Sequence, residues 1–362
     1  MSKKIRVLHT EWSDGWGGQE IRIINEMKAV RLKGVEVFLA CREFSAIKDK
    51  ALKNNIKVFT LAFKGNGDLK TLLALKRIIQ NYSIDIVNTH SGKDTWVGGL
   101  AAKMAGAKFI RTRHLSNRIN HSRLNFINEL ADYIFTTGEI VRNDMIKYNR
   151  IQENKIISMP TGIDESIFNP ENYKKDECRM KFKLIDDEIA IGILAVLRQF
   201  KRHDLFLRAA KILIEKYPDK KLVFIIAGDG PQKDNIKNII NQLNLVSNVR
   251  MVGHINNSPE FLSAIDILVL SSDSKEGVPQ SLMQGLFMNK PIVASDAGST
   301  KDLINKNNFQ LVEKGDINAL VNGVSSFLHK SHKVSSRKHM MKHFSSSVMA
   351  KNIMNVYTKI LN

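Results

Sequence analysis

The feature that most constrains this chain is an alternation, run through twice, of short apolar stretches with helical patterns of apolar residues. Such runs, bounded by turn residues and joined by amphipathic stretches, are the pattern of parallel strands buried on both faces and covered by helices. The first series of strands is read at residues 5–9, 35–40, 57–61, 85–89, 108–113, 132–136 and 155–158. A second begins at 189–196, continues through 222–227, 249–253 and 266–271, and is completed at 292–294. Between the two series, turn residues gather at 160–164 and 168–170, and the charged stretch 171–187 carries no long period, so the linker is placed there. The expected fold class is α/β, with two doubly wound domains. Residues 344–361 carry apolar positions at Val348, Ile353, Met354, Val356, Tyr357 and Ile360, an amphipathic helix in need of a partner surface.

Length and composition agree with this reading. A chain of 362 residues holds two ordinary domains, and no apolar run approaches bilayer-spanning length. The start, Met1-Ser-Lys-Lys-Ile-Arg6, leads straight into a strand without the apolar core or cleavage site of a signal peptide, so a cytoplasmic protein is expected. Cys41 and Cys178 lie far apart and outside any metal-ligand spacing, which argues against disulfide and zinc. An excess of 55 Lys and Arg over 36 Asp and Glu gives a net charge of +19 and favours anionic partners. No zinc finger, clear helix-turn-helix or aromatic-basic RNA motif accompanies it, so nucleic acid is not the expected partner.

Candidate site residues cluster where strands end, which is where open α/β sheets bind ligands. After the first strand, the loop 10–20 holds Gly15, Gly17 and Gly18, which permit close backbone approach and set helix amides where a phosphate or sugar would bind. His90 and His114 stand directly after strands, and Arg111 and Arg113 would disfavour the protonated form of His114. In the second half, Arg198, Lys201 and Arg202 follow a buried strand, an arrangement suited to diphosphate. Gly228-Asp229-Gly230-Pro231 forms a tight turn after the next strand. The stretch 276–299 joins Glu276 to Gly277, Val278 and Pro279 at a helix start that would attract an anion, with Gln284 further along the helix.

Taken in order, five segments resemble the family-four retaining glycosyltransferases with a GT-B fold, over nearly the whole chain. They are Gly17-Gly18-Gln19-Glu20, Thr161-Gly162-Ile163-Asp164 through Phe168, Arg198 with Lys201, Ala227 to Pro231, and Glu276-Gly277-Val278-Pro279 through Gly298. The resemblance implies two Rossmann-like domains facing across a cleft: an acceptor-binding domain at 1–170, a nucleotide-sugar-binding domain at 171–343, and a helix at 344–362 that returns to the first domain. It implies that Arg198 and Lys201 neutralise the donor diphosphate and that Glu276 accepts sugar hydroxyls, assisted by the amides of Gly277, Val278 and Pro279. His114 is expected beside the reacting sugar, Gly17 and Gly18 near the donor phosphate or acceptor, and Gly228, Asp229 and Gly230 near the base. Gln284 stands where many members carry a second glutamate for the ribose diol; its carbonyl can still accept a hydroxyl.

The implied activity is metal-independent, cofactor-free transfer of a sugar from a nucleoside diphosphate sugar to a glycan or lipid-linked acceptor, with retention, in bacterial surface-polysaccharide assembly. The excess of positive charge suits work beside an anionic membrane. A nucleotide-sugar epimerase shares this architecture, and Gln284 also leaves open a non-catalytic nucleotide-sugar-binding protein.

Overall fold

A computed structural model describes residues 4–114, 123–273, 277–304, 309–328 and 336–362. The chain forms two compact units, Met1–Gly162 with Ser346–Asn362, and Ile163–Ser345.

The first unit is built on a parallel sheet of seven strands in the order β3-β2-β1-β4-β5-β6-β7. The strands are β1 Arg6–Glu11, β2 Glu36–Cys41, β3 Lys57–Thr60, β4 Ile86–Thr89, β5 Lys108–Arg113, β6 Tyr133–Thr136 and β7 Ile156–Ser158. Successive residues point to opposite faces, and both faces are apolar because both are covered. Val7, Leu39, Ile86, Ile110 and Phe135 pack against Ile23 and Met27 of helix Gly18–Arg31 and Ile353 and Tyr357 of helix Ser346–Leu361. Their neighbours Leu8, Phe38, Val87, Phe109 and Ile134 face Leu75, Val97 and Ala101 on the other side. Strand order reverses between β1 and β4, so the carboxyl ends of these two strands mark the switch point of this unit.

The last helix does return to the first unit, as expected, and Gly162 is what lets it approach. A Cβ on Gly162 would lie 2.7 Å from Ser346 Cα and 2.9 Å from Met349 Cβ, and the Gly162 amide donates to Met349 Sδ at 3.0 Å. Beneath that helix, Arg22 and Glu26 form a fully buried pair at 3.3 Å, and Asn88 Nδ2 donates to Glu26 Oε1 at 3.0 Å.

The second unit carries a parallel sheet of six strands, β10-β9-β8-β11-β12-β13. These are β8 Glu188–Leu194, β9 Lys221–Ala227, β10 Val249–Gly253, β11 Ile267–Leu270, β12 Ile292–Ser295 and β13 Phe309–Val312. Ile191, Phe224, Val269 and Val293 pack against Phe206, Leu213 and Val324 on one face, while Ala190, Ile225, Leu268 and Ala294 meet Phe261, Leu282 and Leu286 on the other. Its switch point lies between β8 and β11.

Every run read as a strand forms one, with ends within two residues. Two expectations need correction. The sequence pattern completes the sheet without β13, a four-residue strand that carries exposed Gln310 and, among the described residues, pairs with β12 alone. Too short to show a period, it gains its hydrogen bonds from its neighbour. The polar stretch 171–187, read as the linker, is folded into the second unit, and the units divide at Gly162 and Ile163. Helix Lys175–Lys181 lies within it, and buried Arg179 donates to the carbonyls of Ile185 and Glu188 at 2.5 and 2.7 Å. Its order rests on these side-chain-to-backbone bonds, which leave no hydrophobic period to read.

Candidate functional site

In the first unit the switch point is occupied by a buried polar cluster. Strand alternation places His9 two residues beyond Val7, His90 two beyond Asn88 and His114 two beyond Thr112, so the three rings fall on one face of the sheet. They form a chain: His9 Nδ1 lies 2.9 Å from His90 Nε2, and His90 Nδ1 lies 3.1 Å from His114 Nε2. The first two rings are nearly parallel, with centroids 5.2 Å apart and planes 10° apart. Burial above all keeps these rings neutral. His9 is pushed down to about 3, with Arg22 adding to the effect. His90 is lowered by burial, then by its two histidine neighbours and Arg22 and Arg111; His114 is lowered by burial, then by Arg22, Arg111 and Arg113. The expectation that Arg111 and Arg113 disfavour the charged form of His114 is met, and Arg22, from a helix remote in sequence, joins them.

Around the histidines sit two buried carboxyls. Asp94 caps helix Gly92–Ala105: it accepts from the amides of His90 and Ser91 at 2.9 and 2.8 Å and from Thr10 Oγ1 at 2.6 Å. Glu11 Oε1 accepts from the amides of Trp12 and Ser13, each at 2.8 Å, and Glu11 Oε2 accepts from Gln19 Nε2. Burial and the nearness of Asp94 raise the Glu11 carboxyl well above the usual range, while buried Arg111 offsets part of that charge. Gly17 is the residue before helix Gly18–Arg31, in extended backbone, and its amide donates to Glu20 Oε2 at 2.8 Å. The loop from Trp12 to Gln19 is therefore tied down by the chain's own carboxyl groups, Glu11 at Trp12, Ser13 and Gln19 and Glu20 at Gly17.

In the second unit the loops after four neighbouring strands are bonded into one surface. Ala195 and Leu197, just past β8, donate to the carbonyls of Ala227 and Asp229, each at 3.0 Å, and Gln232 donates back to Leu197 O at 3.0 Å. The Gly228 amide reaches Gly253 O after β10 at 2.8 Å, and Ser271 Oγ, after β11, donates to the carbonyls of Lys201 and Arg202 at 3.0 and 2.9 Å. Gly228 and Gly230 have φ of 146° and 154°, which L side chains rarely adopt. The structure thus brings Arg198, Lys201 and the Gly228-Asp229-Gly230 turn together. Arg198 is exposed, Lys201 lies with its Nζ 5.2 Å from the Phe200 ring centroid, and Asp229 Oδ1 accepts from the Gly230 amide at 2.8 Å. A cavity of about 650 Å³, lined by Arg198, Phe200, Arg202, Gln232 and Asn235, opens beside them. His203 lines it too; it is buried, its ring nitrogens have no hydrogen-bond partner among the described residues, and burial followed by Lys201 pushes it down to about 4.

Glu276 lies outside the described residues. Of its neighbours, Gly277 is half-buried, and Val278 and Pro279 are buried. Pro279 caps helix Gln280–Phe287 rather than entering its first turn. Gln284 is half-exposed on that helix, with no side-chain hydrogen bond among the described residues.

Comparison with known proteins bears on the family and the fold. The family described as Glycosyltransferase Family 4 matches residues 16–167, and Glycosyl transferases group 1 matches residues 174–344. The chain belongs to glycosyltransferase family 4. Among relatives of this glycosyltransferase is the UDP-Gal:alpha-D-GlcNAc-diphosphoundecaprenol alpha-1,3-galactosyltransferase of Escherichia coli, 25% identical over 340 residues, covering 89% of this chain and 87% of that protein. Another is the 2-deoxystreptamine N-acetyl-D-glucosaminyltransferase of Niallia circulans, 23% identical, covering 94% and 97%. The fold is that of a Rickettsia africae glycosyltransferase, with a TM-score of 0.89 at 20% identity over 99% of both chains. It is also that of Anabaena HepE, crystallised with UDP-glucose, with a TM-score of 0.84 at 16% identity over 98% of this chain and 100% of that one. These neighbours show that the fold is GT-B.

Sequence reasoning singled out His90 and His114 in the first unit but missed His9, Glu11, Asp94 and Arg22. The signal for His9 was present in the strand alternation, which sets positions 9, 90 and 114 on one face once the order β1-β4-β5 is known. Nothing in the sequence pointed to Arg22, which sits on the apolar side of its helix.

Proposed function

We propose that this glycosyltransferase moves a sugar from a nucleoside diphosphate sugar to a hydroxyl of a glycan or lipid-linked oligosaccharide, with retention, during assembly of a bacterial surface polysaccharide. The observation that carries the reading is the Arg198–Lys201 turn at the switch point of the second unit, set beside the glycine turn Gly228–Gly230 by the hydrogen bond from the preceding Leu197 amide to Asp229 O. A planar guanidinium and a compact ammonium beside close-approach glycines suit a diphosphate and its nucleoside. The named substrates of the Escherichia coli relative, a UDP-sugar and a diphosphoundecaprenol-linked sugar, support the donor class and the acceptor class.

In this scheme the bond from the anomeric carbon to the diphosphate breaks, the acceptor oxygen bonds to that carbon on the same face, and the acceptor proton passes to the departing diphosphate. Arg198 and Lys201 balance the charge that develops there, so no metal ion or other cofactor takes part. Glu276 accepts hydroxyls of the transferred sugar, assisted by the amides of Gly277, Val278 and Pro279; Gln284 accepts from the ribose; Asp229 and Gly230 flank the base. In the first unit, which binds the acceptor, His114 donates to the reacting sugar and the Gly17-Gly18 loop serves the donor phosphate or acceptor. The enzyme works at the cytoplasmic face of the membrane.

A thermal-shift panel of nucleotide sugars identifies the donor, since a ligand at 100 times its Kd stabilises the fold by about 2.7 kcal/mol. Incubation with a lipid-linked acceptor should then yield a product with the donor's anomeric configuration, and Arg198→Ala should lower kcat by about 100- to 1,000-fold. A folded Arg198→Ala protein with parental turnover overturns the assignment. Isomerised donor without acceptor would identify an epimerase, and binding without any turnover a binding protein.

A further inference from the structure

The three-histidine chain has a direction. A neutral imidazole has one N–H and one lone pair, so a chain of neutral rings joined through both nitrogens must run one way throughout. If it runs from His114 to His9, the chain ends in a His9 Nε2–H. That nitrogen is fully buried and has no partner among the described residues, and an orphaned buried N–H is rare. If it runs from His9 to His114, the buried end is a bare lone pair. Arg22 acts on all three rings, which helps keep them neutral and leaves the direction to the buried end of the chain. The other charged groups in this environment are Glu26, held by Arg22 and Asn88, with Arg111, Arg113, Asp94 and Glu11 around the strand ends.

We infer that His9 and His90 are positioning residues that hold His114 as its Nδ1–H tautomer, so that the one ring nitrogen not committed to His90 is a hydrogen-bond donor and not a proton acceptor. His9 Nδ1–H donates to His90 Nε2, and His90 Nδ1–H donates to His114 Nε2. The group His114 recognises is then an oxygen with a lone pair to offer, such as a sugar hydroxyl or ring oxygen. His114 cannot serve as the base that deprotonates the acceptor, because the ring nitrogen not bonded to His90 already carries a proton. This rests on the proposed role of His114 at the transferred sugar, but the tautomer itself does not.

The test is a long-range proton–nitrogen NMR spectrum of the full-length chain with ¹⁵N-labelled histidine, near neutral pH and without donor. His114 should show a protonated Nδ1 and a bare Nε2; a protonated Nε2 overturns the inference, whether or not transfer is ever observed. His90→Asn places an amide N–H where His90 Nδ1 stood and should keep the tautomer, whereas His90→Leu should lose it. Transfer kinetics should follow, with kcat lowered on the order of tenfold in His90→Leu at little changed donor KM and recovered in His90→Asn. An unchanged His114 tautomer in folded His90→Leu also overturns the inference; if that variant does not fold, the parent spectrum decides.

Discussion

A Cβ added to Gly228 would lie 1.9 Å from the carbonyl oxygen of Ala195. That distance is far inside any non-bonded contact, and the obstacle is backbone fixed by its own ladder: Ala195 donates to Ala227 O, and Gly228 donates to Gly253 O. The φ of 146° adds strain for any side chain. Gly228→Ala is therefore expected to cost about 3 kcal/mol or more in urea unfolding and to weaken donor binding by displacing the loop of Arg198 and Lys201. Gly253→Ala, where φ is 70° but nothing lies within 4 Å, should cost less, about 1 kcal/mol. Equal effects at the two positions would contradict this account.

The buried pair Arg22–Glu26 predicts an asymmetry. Arg22→Met leaves a carboxylate without its cation in a fully buried site, and the expected loss of stability is about 3–5 kcal/mol. Removing both charges, Arg22→Met with Glu26→Gln, should recover most of it. Tyr357, fully buried on the returning helix, points a hydroxyl without a hydrogen-bond partner among the described residues into the same region. Tyr357→Phe deletes that desolvated group without leaving a void, so it should be neutral or stabilising by up to about 1 kcal/mol. Urea midpoints of the four proteins check the set.

These two cases also separate what the sequence made legible from what it hid. Strand positions could be read because each element of a doubly wound sheet announces itself locally, by an apolar run and a turn. The Arg198, Lys201 and Gly228–Gly230 segments could be read for the same reason: each lies directly after a strand. Arg22 could not, because its meaning comes from Glu26, Asn88 and a helix more than three hundred residues away. The carboxyl pair of Glu11 and Asp94 was hidden likewise; only the pairing of β1 with β4 makes them neighbours.

Neutral buried histidines make stability depend on pH. His203 is pushed down to about 4 and His9 to about 3, against an ordinary value near 6.5. The sign follows from proton counts: below 6.5 the unfolded chain takes up a proton that the folded ring refuses. The stability is present above pH 6.5 and is lost as pH falls toward the folded values, by about 1.4 kcal/mol per unit for each ring. Glu11 and Asp94, raised by burial, act in the opposite direction, so the difference between variant and parent is the clean quantity. Between pH 7.5 and 5.5 the loss in unfolding free energy should shrink by about 1.4 kcal/mol in His203→Phe. An unchanged pH dependence would show that His203 titrates normally.

The first unit presents a basic, apolar edge suited to an anionic membrane. Phe44 and Leu32 are 91% and 87% exposed, and Leu52 is 50% exposed. Helix Ala46–Lys53 links them, with Lys50 and Lys53 exposed beside Leu52, and Arg31 donates to Asn54 O at 2.6 Å, joining its end to the end of helix Gly18–Arg31. Lysines near an anionic surface contribute about 1 kcal/mol each, and the attraction decays over a Debye length of about 8–10 Å at physiological salt. With a net charge of +19 behind this edge, the protein should cosediment with vesicles containing phosphatidylglycerol at low salt and release at high salt. Lys50→Glu with Lys53→Glu should reduce binding and its salt dependence, and Phe44→Ser should reduce binding without changing that dependence. Absence of cosedimentation at low salt would remove the membrane from the proposed function, and binding unaffected by all three changes would move the contact to another face.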